Sequence, residues 1–196
     1  AAQVKERTGR DLVIDGDTIE VSATRIAKAH TDEAAKAALK DFTIAETATA
    51  DRVELDSTSR GVQLTLHLSH RVDYDIKVPR SLNVTIKTTN GEVDVQGIAG
   101  VLTVNATNGQ VTGLGPGNGA DVSSVNGQLR LEFAQLGPAG VRCKTTNGQI
   151  VVTIPSAAKA TIAARITNGA IQTENLSVQA TENSRRRLDA TVGGGG

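Results

Sequence analysis

Asn-Gly recurs at residues 90–91, 108–109, 126–127, 147–148 and 168–169, in steps of 18, 18, 21 and 21 residues. A return at this interval signals stacked units, and it narrows the choice of fold more than any other feature of the chain. Aligning the copies on Asn makes columns visible. Six residues before it stand Val84, Leu102, Ala120, Val141 and Ile162; four before stand Ile86, Val104, Val122, Cys143 and Ala164. Three after stand Val93, Val111, Leu129, Ile150 and Ile171. All of these are apolar. Three before Asn the residue is polar in every copy: Lys87, Asn105, Ser123, Lys144 and Arg165. That is the period of a β-strand with one face inward and one outward.

Two architectures satisfy the pattern. In an antiparallel meander or sandwich each Asn-Gly closes a type I′ hairpin. In a β-solenoid, a parallel β-helix-like stack, each repeat is one coil of about 18–21 residues lying on its own copy ~4.8 Å away. A meander needs alternation but has no reason to keep one template for every pair of strands, so the columns favour the solenoid. Asn90, Asn108, Asn126, Asn147 and Asn168 then have a specific task. Each amide can bond the amide of the neighbouring coil, while Gly91, Gly109, Gly127, Gly148 and Gly169 take the positive-φ corner. The three-residue expansions fall away from the corners, around EFAQLGPAG (132–140) and TIPSAAKA (153–160).

The first eighty residues are β-rich but less regular. LVIDGDTIEVSATR (12–25) reads as strand, Asp-Gly turn and strand, and HTDEAAKAALKDF (30–42) is the one helix candidate, about 31–41. Thr31 can cap it, Asp32 and Glu33 suit its first turn, and its Ala-rich body favours helix. With no linker in sight, the expectation is a single all-β solenoid domain over 1–196. Residues 1–80 are expected as irregular or capping coils, 81–192 as regular repeats and 193–196 as a flexible Gly tail.

The order of DTIEVSATR, a short acidic helix, YDIKVP, TTNGEVDVQGIAG with its repeats, and RLDATVGGGG resembles a domain-of-unknown-function family of exported bacterial β-solenoid proteins. That family is described as adhesins, similar in style to the head GIN domain adhesins. The resemblance covers most of the chain. It implies a β-solenoid carried to the periplasm or cell surface, with no catalytic residues to transfer. Members of that family run on past the glycine stretch into one more Asn-Gly coil; this chain stops there.

Composition agrees with thin stacked layers. Aromatic residues make up 2% and Trp and Met are absent, so Val, Ile, Leu, Ala and Thr must build the core. Twenty-one basic residues balance twenty-one acidic ones, which argues against bulk attraction to nucleic acid. No apolar run reaches the ~18–20 residues of a transmembrane helix. Ala1-Ala2 fits the flank of a cleaved signal peptide, and the lack of Met fits a removed initiator.

The remaining chemistry reads as structure. His67, His70, Asp73 and Asp75 do not share one strand face, so they read as a solvated strand and not a metal site. Asp15-Gly16-Asp17 lacks the later ligands of a calcium loop and reads as a turn. Cys143 sits in an apolar column and reads as a small buried hydrophobe, and Arg185, Arg186 and Arg187 read as a solvated turn. Thr89, Thr107, Thr146 and Thr167 form an outward stripe that offers a surface for ice or sugars, but Val125 interrupts it and ordinary β-propensity explains the threonines without any ligand. No paired carboxylates share a column, as a polysaccharide lyase or hydrolase on this scaffold would need.

These readings lead to a non-catalytic structural or adhesin-like module, secreted or in the cell envelope, without cofactor or metal. Its expected partners are a surface glycan or protein, and further copies joined as an oligomer or fibre through exposed strand edges. The alternative is a carbohydrate-binding or carbohydrate-processing protein on a β-helix scaffold.

Overall fold

The computed structural model describes residues 2–14, 17–40, 42–48, 53–59, 69–155, 157–174, 178–183 and 185–192. Asp15, Gly16 and His67, and the glycines at 193–196, lie outside the described residues. The chain divides into two units, Ala1–Pro79 and Arg80–Gly196.

In the first unit β1 (Ala2–Ile14) and β2 (Asp17–Ala29) run antiparallel from Ala2↔Ala29 to Ile14↔Asp17. After α1 (Asp32–Lys40) come the antiparallel pair β3 (Phe42–Ala48) and β4 (Val53–Ser59), then β5 (Ser69–Lys77), which pairs antiparallel with β2. The helix starts where its cap chemistry places it. The Ala34 N–H donates to Thr31 Oγ1 at 3.2 Å, Asp32 and Glu33 occupy the positive end, and Lys40 sits in the last turn. Its buried face, Ala35, Ala38 and Leu39, packs on Ala27 and Ala29 of β2. Small residues on both sides let helix and sheet approach closely. Where irregular coils were expected for residues 1–80, these strands pair antiparallel. The segment carries no Asn-Gly corner at coil spacing, so nothing turns each strand onto a parallel copy of itself.

The second unit is a β-solenoid of about four turns. Its first legs are β6 (Val84–Asn90) and, after the short β7 (Val93–Gln96), β8 (Val101–Asn108). Next comes β9 (Val111–Leu114), followed by three longer strands that run through the corner unbroken. These are β10 (Gly119–Glu132), β11 (Gly140–Thr153) and β12 (Ala160–Glu174). Coil pairs with coil in parallel, and like lies on like. Val84 meets Leu102, Leu102 meets Ala120, Ala120 meets Val141 and Val141 meets Ile162. Beyond the corner Val93, Val111, Leu129, Ile150 and Ile171 form the facing column. Parallel pairing rules out the antiparallel meander. The return segments stack as well, with Gly117 N–H on the Ile98 carbonyl at 2.8 Å and Gly137 N–H on the Gly117 carbonyl at 2.9 Å.

The core is the space between these columns. Leu102, Val104, Val111, Val122, Leu129, Leu131 and Ile150 are fully buried within it. Each such aliphatic side chain contributes about 1.5–3 kcal/mol of burial. The last coil does not end bare. Its leg 160–165 pairs antiparallel with β14 (Arg187–Val192), which pairs antiparallel with β13 (Val178–Asn183). Leu188, Ala190 and Val192 of β14 are buried, extending the core one layer past the repeats.

Candidate functional site

The corner is the element shared by every coil. Asn108 Nδ2 donates to Asn90 Oδ1 at 2.8 Å, Asn126 to Asn108 at 2.8 Å, Asn147 to Asn126 at 2.7 Å and Asn168 to Asn147 at 2.7 Å. The steps along the chain are 18 residues and then 21, yet the rungs are equivalent in space because the expansions lie in the return segments. All five Asn are exposed, so the ladder runs along a solvent-facing ridge. Net worth per bond is about 1 kcal/mol, but the four bonds act on a common register and resist slippage together.

Backbone bonds reinforce the ridge. Gly91 N–H donates to the Asn108 carbonyl at 3.1 Å and Gly109 N–H to the Asn126 carbonyl at 3.0 Å. Glycine is required there because successive corners stack backbone on backbone, leaving no room for a Cβ at Gly109, Gly127, Gly148 or Gly169. On the inner side of the bend stand Thr88, Ala106, Ser124, Thr145 and Ile166, of which the last four are buried. Thr88 and Thr145 each donate Oγ1 to the Asn carbonyl of their own coil, at 3.3 and 3.4 Å.

The threonine stripe lies directly beside the Asn ladder. Thr89, Thr107 and Thr167 are exposed, Thr146 is half-buried, and Val125 stands in the same column 44% exposed. The columns either side are polar and bonded along the stack. Ser123 Oγ donates to Asn105 Oδ1 at 2.7 Å, Gln128 Nε2 to Gln149 Oε1 at 3.3 Å, and Arg142 pairs with Asp121 at 3.5 Å. The outward faces therefore present polar rows at rung spacing, in which neighbouring side chains pair along the stack.

Cys143 is buried between Val122 and Ala164. Burial, and secondarily the charge of Asp121, pushes its thiol up from 9.0 to about 12. The unfolded chain thus releases this proton from pH 9 upward while the folded chain holds it. The sign follows: the contribution to stability is unchanged below pH 9 and falls by roughly 1.4 kcal/mol per pH unit between 9 and 12. Urea unfolding of Cys143→Ala beside the parent across that window should show the difference, and a thiol reagent should label the parent only as it unfolds.

Among the described residues no group of three or more His, Cys, Asp or Glu could hold a metal ion. Asp73 is paired with Arg71 on its own strand. One feature escaped the sequence reading: a shallow groove of about 350 Å3 on the β1–β2–β5 sheet, lined by Arg7, Asp11, Glu20, Ser22, Asp75 and Lys77. Within it Arg7 Nε donates to Ser22 Oγ at 2.8 Å, and Lys77 Nζ to Glu20 at 2.7 Å. The hydrogen bond to Glu20 raises the Lys77 pKa. Alternation of charged residues in RTGRD and DYDIK was its only trace in the sequence, and which strands would pair was not readable from it.

Fold and corner together define a β-solenoid repeat protein whose coils are registered by an asparagine ladder. The chain belongs to the Toastrack DUF4097 family, which matches residues 36–195. No curated protein and no solved structure matches it. The family carries the solenoid and assigns no activity. Among the described residues no helix is long and apolar enough to cross a membrane.

Proposed function

We propose that the protein is a non-catalytic scaffold and adhesin-like binding module, secreted or held in the bacterial cell envelope. It presents the registered outward rows of its solenoid to a surface glycan or protein. The observation that carries this reading is the Asn ladder, which fixes Thr89, Thr107, Thr146 and Thr167 at rung spacing beside one exposed ridge. A preorganised row binds a repeating ligand without the ordering cost a mobile loop would carry. Hydroxyls at rung spacing, with the one gap at Val125, suit a polymer of polyhydroxylated units better than a compact metabolite. Copies join through the sheet edges at β6 and β13, whose outer backbone groups have no strand partner among the described residues.

A glycan array, read beside a turnover assay on the same glycans, tests the binding reading. The parent should be retained without product release, and a chain carrying Thr107→Lys, Thr146→Lys and Thr167→Lys together should lose retention at least about tenfold, roughly 1.4 kcal/mol. Released reducing ends would make the protein an enzyme and sink the proposal. Light scattering reads the joining of copies separately: mass growing with concentration is expected, and a strict monomer throughout refutes it.

A further inference from the structure

The five corner Asn-Gly pairs share a local sequence but not a set of hydrogen bonds; a sixth pair, Asn118–Gly119, stands outside the ladder, where the return segment enters β10. Asn-Gly is the dipeptide most prone to intramolecular loss of ammonia. The glycine backbone nitrogen, after giving up its proton to a base, attacks Cγ of the Asn side chain. The Cγ–Nδ2 bond breaks, ammonia leaves and a five-membered succinimide forms. Water then opens the ring to aspartate or isoaspartate. Glycine offers no Cβ to block the approach. What can block it is a hydrogen bond that holds the glycine N–H, or one that holds the Asn amide away from it.

Four of the pairs are held on both counts. The Oδ1 atoms of Asn90, Asn108, Asn126 and Asn147 each accept from the next rung. Gly91 and Gly109 donate to the next coil's Asn carbonyl, and Gly127 and Gly148 stand in unbroken register with the coil that follows. The fifth pair has no coil beyond it. Asn168 donates to Asn147, but its Oδ1 accepts from no described group. The β13–β14 connection straps the last coil on either side of the corner, with the Arg186 carbonyl on Ile166 N–H at 2.9 Å and the Arg185 carbonyl on Ile171 N–H at 3.1 Å. Gly169 N–H, between the two, meets no described acceptor. Both Asn168 and Gly169 are exposed to water.

We infer that Asn168–Gly169 is a self-modifying site, deamidating in the folded chain while the four preceding corner pairs of the ladder are protected by the stack. The product alters the rung that made it. Aspartate has no Nδ2 hydrogen to give Asn147 Oδ1, and sets carboxylate lone pairs against it. Isoaspartate also lengthens the backbone by one methylene and shifts the register of the last coil. Either change loosens the end where β14 and its connection are strapped on.

The intact chain, incubated at mildly alkaline pH and analysed over time by peptide mapping with fragment-ion mass spectrometry, tests the inference. A sample in denaturant gives the unprotected rates, which should be alike at all five corner positions. In the folded chain Asn168 should convert within a few-fold of its denatured rate. The other four should be slower by about ten- to a hundred-fold, the combined hold of two hydrogen bonds. Equal rates at all five in the folded chain, or faster conversion at any other corner, would overturn it. A second arm reads the consequence without the waiting time. In Asn168→Asp the Ile166 and Ile171 amides should exchange hydrogen about tenfold faster than in the parent, one hydrogen bond's worth, with the first coil unchanged. Unaltered exchange at both amides refutes the loosening.

Discussion

Replacing Gly127 with Ala should abolish the cooperative unfolding of the solenoid or cost it more than about 4 kcal/mol, placing it among the severe single substitutions. A Cβ at this position would fall 1.7 Å from the Gly109 carbonyl oxygen and 2.8 Å from its carbon. Those are backbone atoms of the coil beneath, so no rotamer change relieves the overlap. Relief requires lifting one rung off the next, which breaks the parallel ladder and the Asn126–Asn108 bond together. Gly91 separates this clash from the conformational cost of the corner. Its φ is +137°, close to the +149° of Gly127, yet nothing lies within 4 Å of a Cβ built there. Gly91→Ala should therefore cost only the backbone strain, about 1–3 kcal/mol. Urea unfolding curves of the two variants, with midpoint and slope both fitted, decide the matter. Equal losses at Gly91 and Gly127 would show that positive φ alone explains the glycines and that corner stacking contributes nothing.

The solenoid was legible because parallel in-register stacking turns sequence spacing into spatial neighbourhood. Leu102, Ala120 and Val141 are column mates in the alignment and rung mates in space, so no long-range pairing had to be guessed. The N-terminal unit lacks that convenience. β2 takes its second partner from Ser69–Lys77, with a helix and a separate hairpin in between, and no local signal states that pairing or its register. The charged groove of Arg7, Glu20 and Lys77 was hidden for the same reason, since its residues converge only when β1, β2 and β5 are aligned. RLDATV illustrates the middle ground. Alternation at Leu188, Ala190 and Val192 reads as a strand, but the repeat template predicts another parallel coil, whereas β14 turns back antiparallel on β12. With no Asn-Gly corner before it, the segment is free to pair in the direction a hairpin allows.

The core holds one packing choice that the columns alone do not show, and it yields the other large effect. Leu131→Ala should cost about 4–5 kcal/mol, the upper part of the range for truncating a buried leucine. Leu131 is fully buried, and its register partner on the preceding coil is Gly113, which has no side chain. The leucine fills both its own layer and the space left at Gly113: a Cβ on Gly113 would lie 2.7 Å from Leu131 Cδ2 and 3.2 Å from Leu102 Cδ2. Truncation thus opens a void spanning two layers. Backbone bonds fix the rungs on either side, so the walls cannot collapse inward, and the cavity persists. The same geometry makes the two sites antagonistic. Gly113→Ala alone should destabilise by about 1–2 kcal/mol through overpacking against leucine ends. Combined with Leu131→Ala, its methyl enters the space that leucine leaves, and only the lesser crowding against Leu102 Cδ2 stays. The double variant should then be more stable than the sum of the single losses by about 1–2 kcal/mol, read as the coupling in a double-mutant cycle from urea unfolding. Strict additivity would mean that Leu131 does not reach into the layer of Gly113, and the small-over-large packing of this column would have to be abandoned.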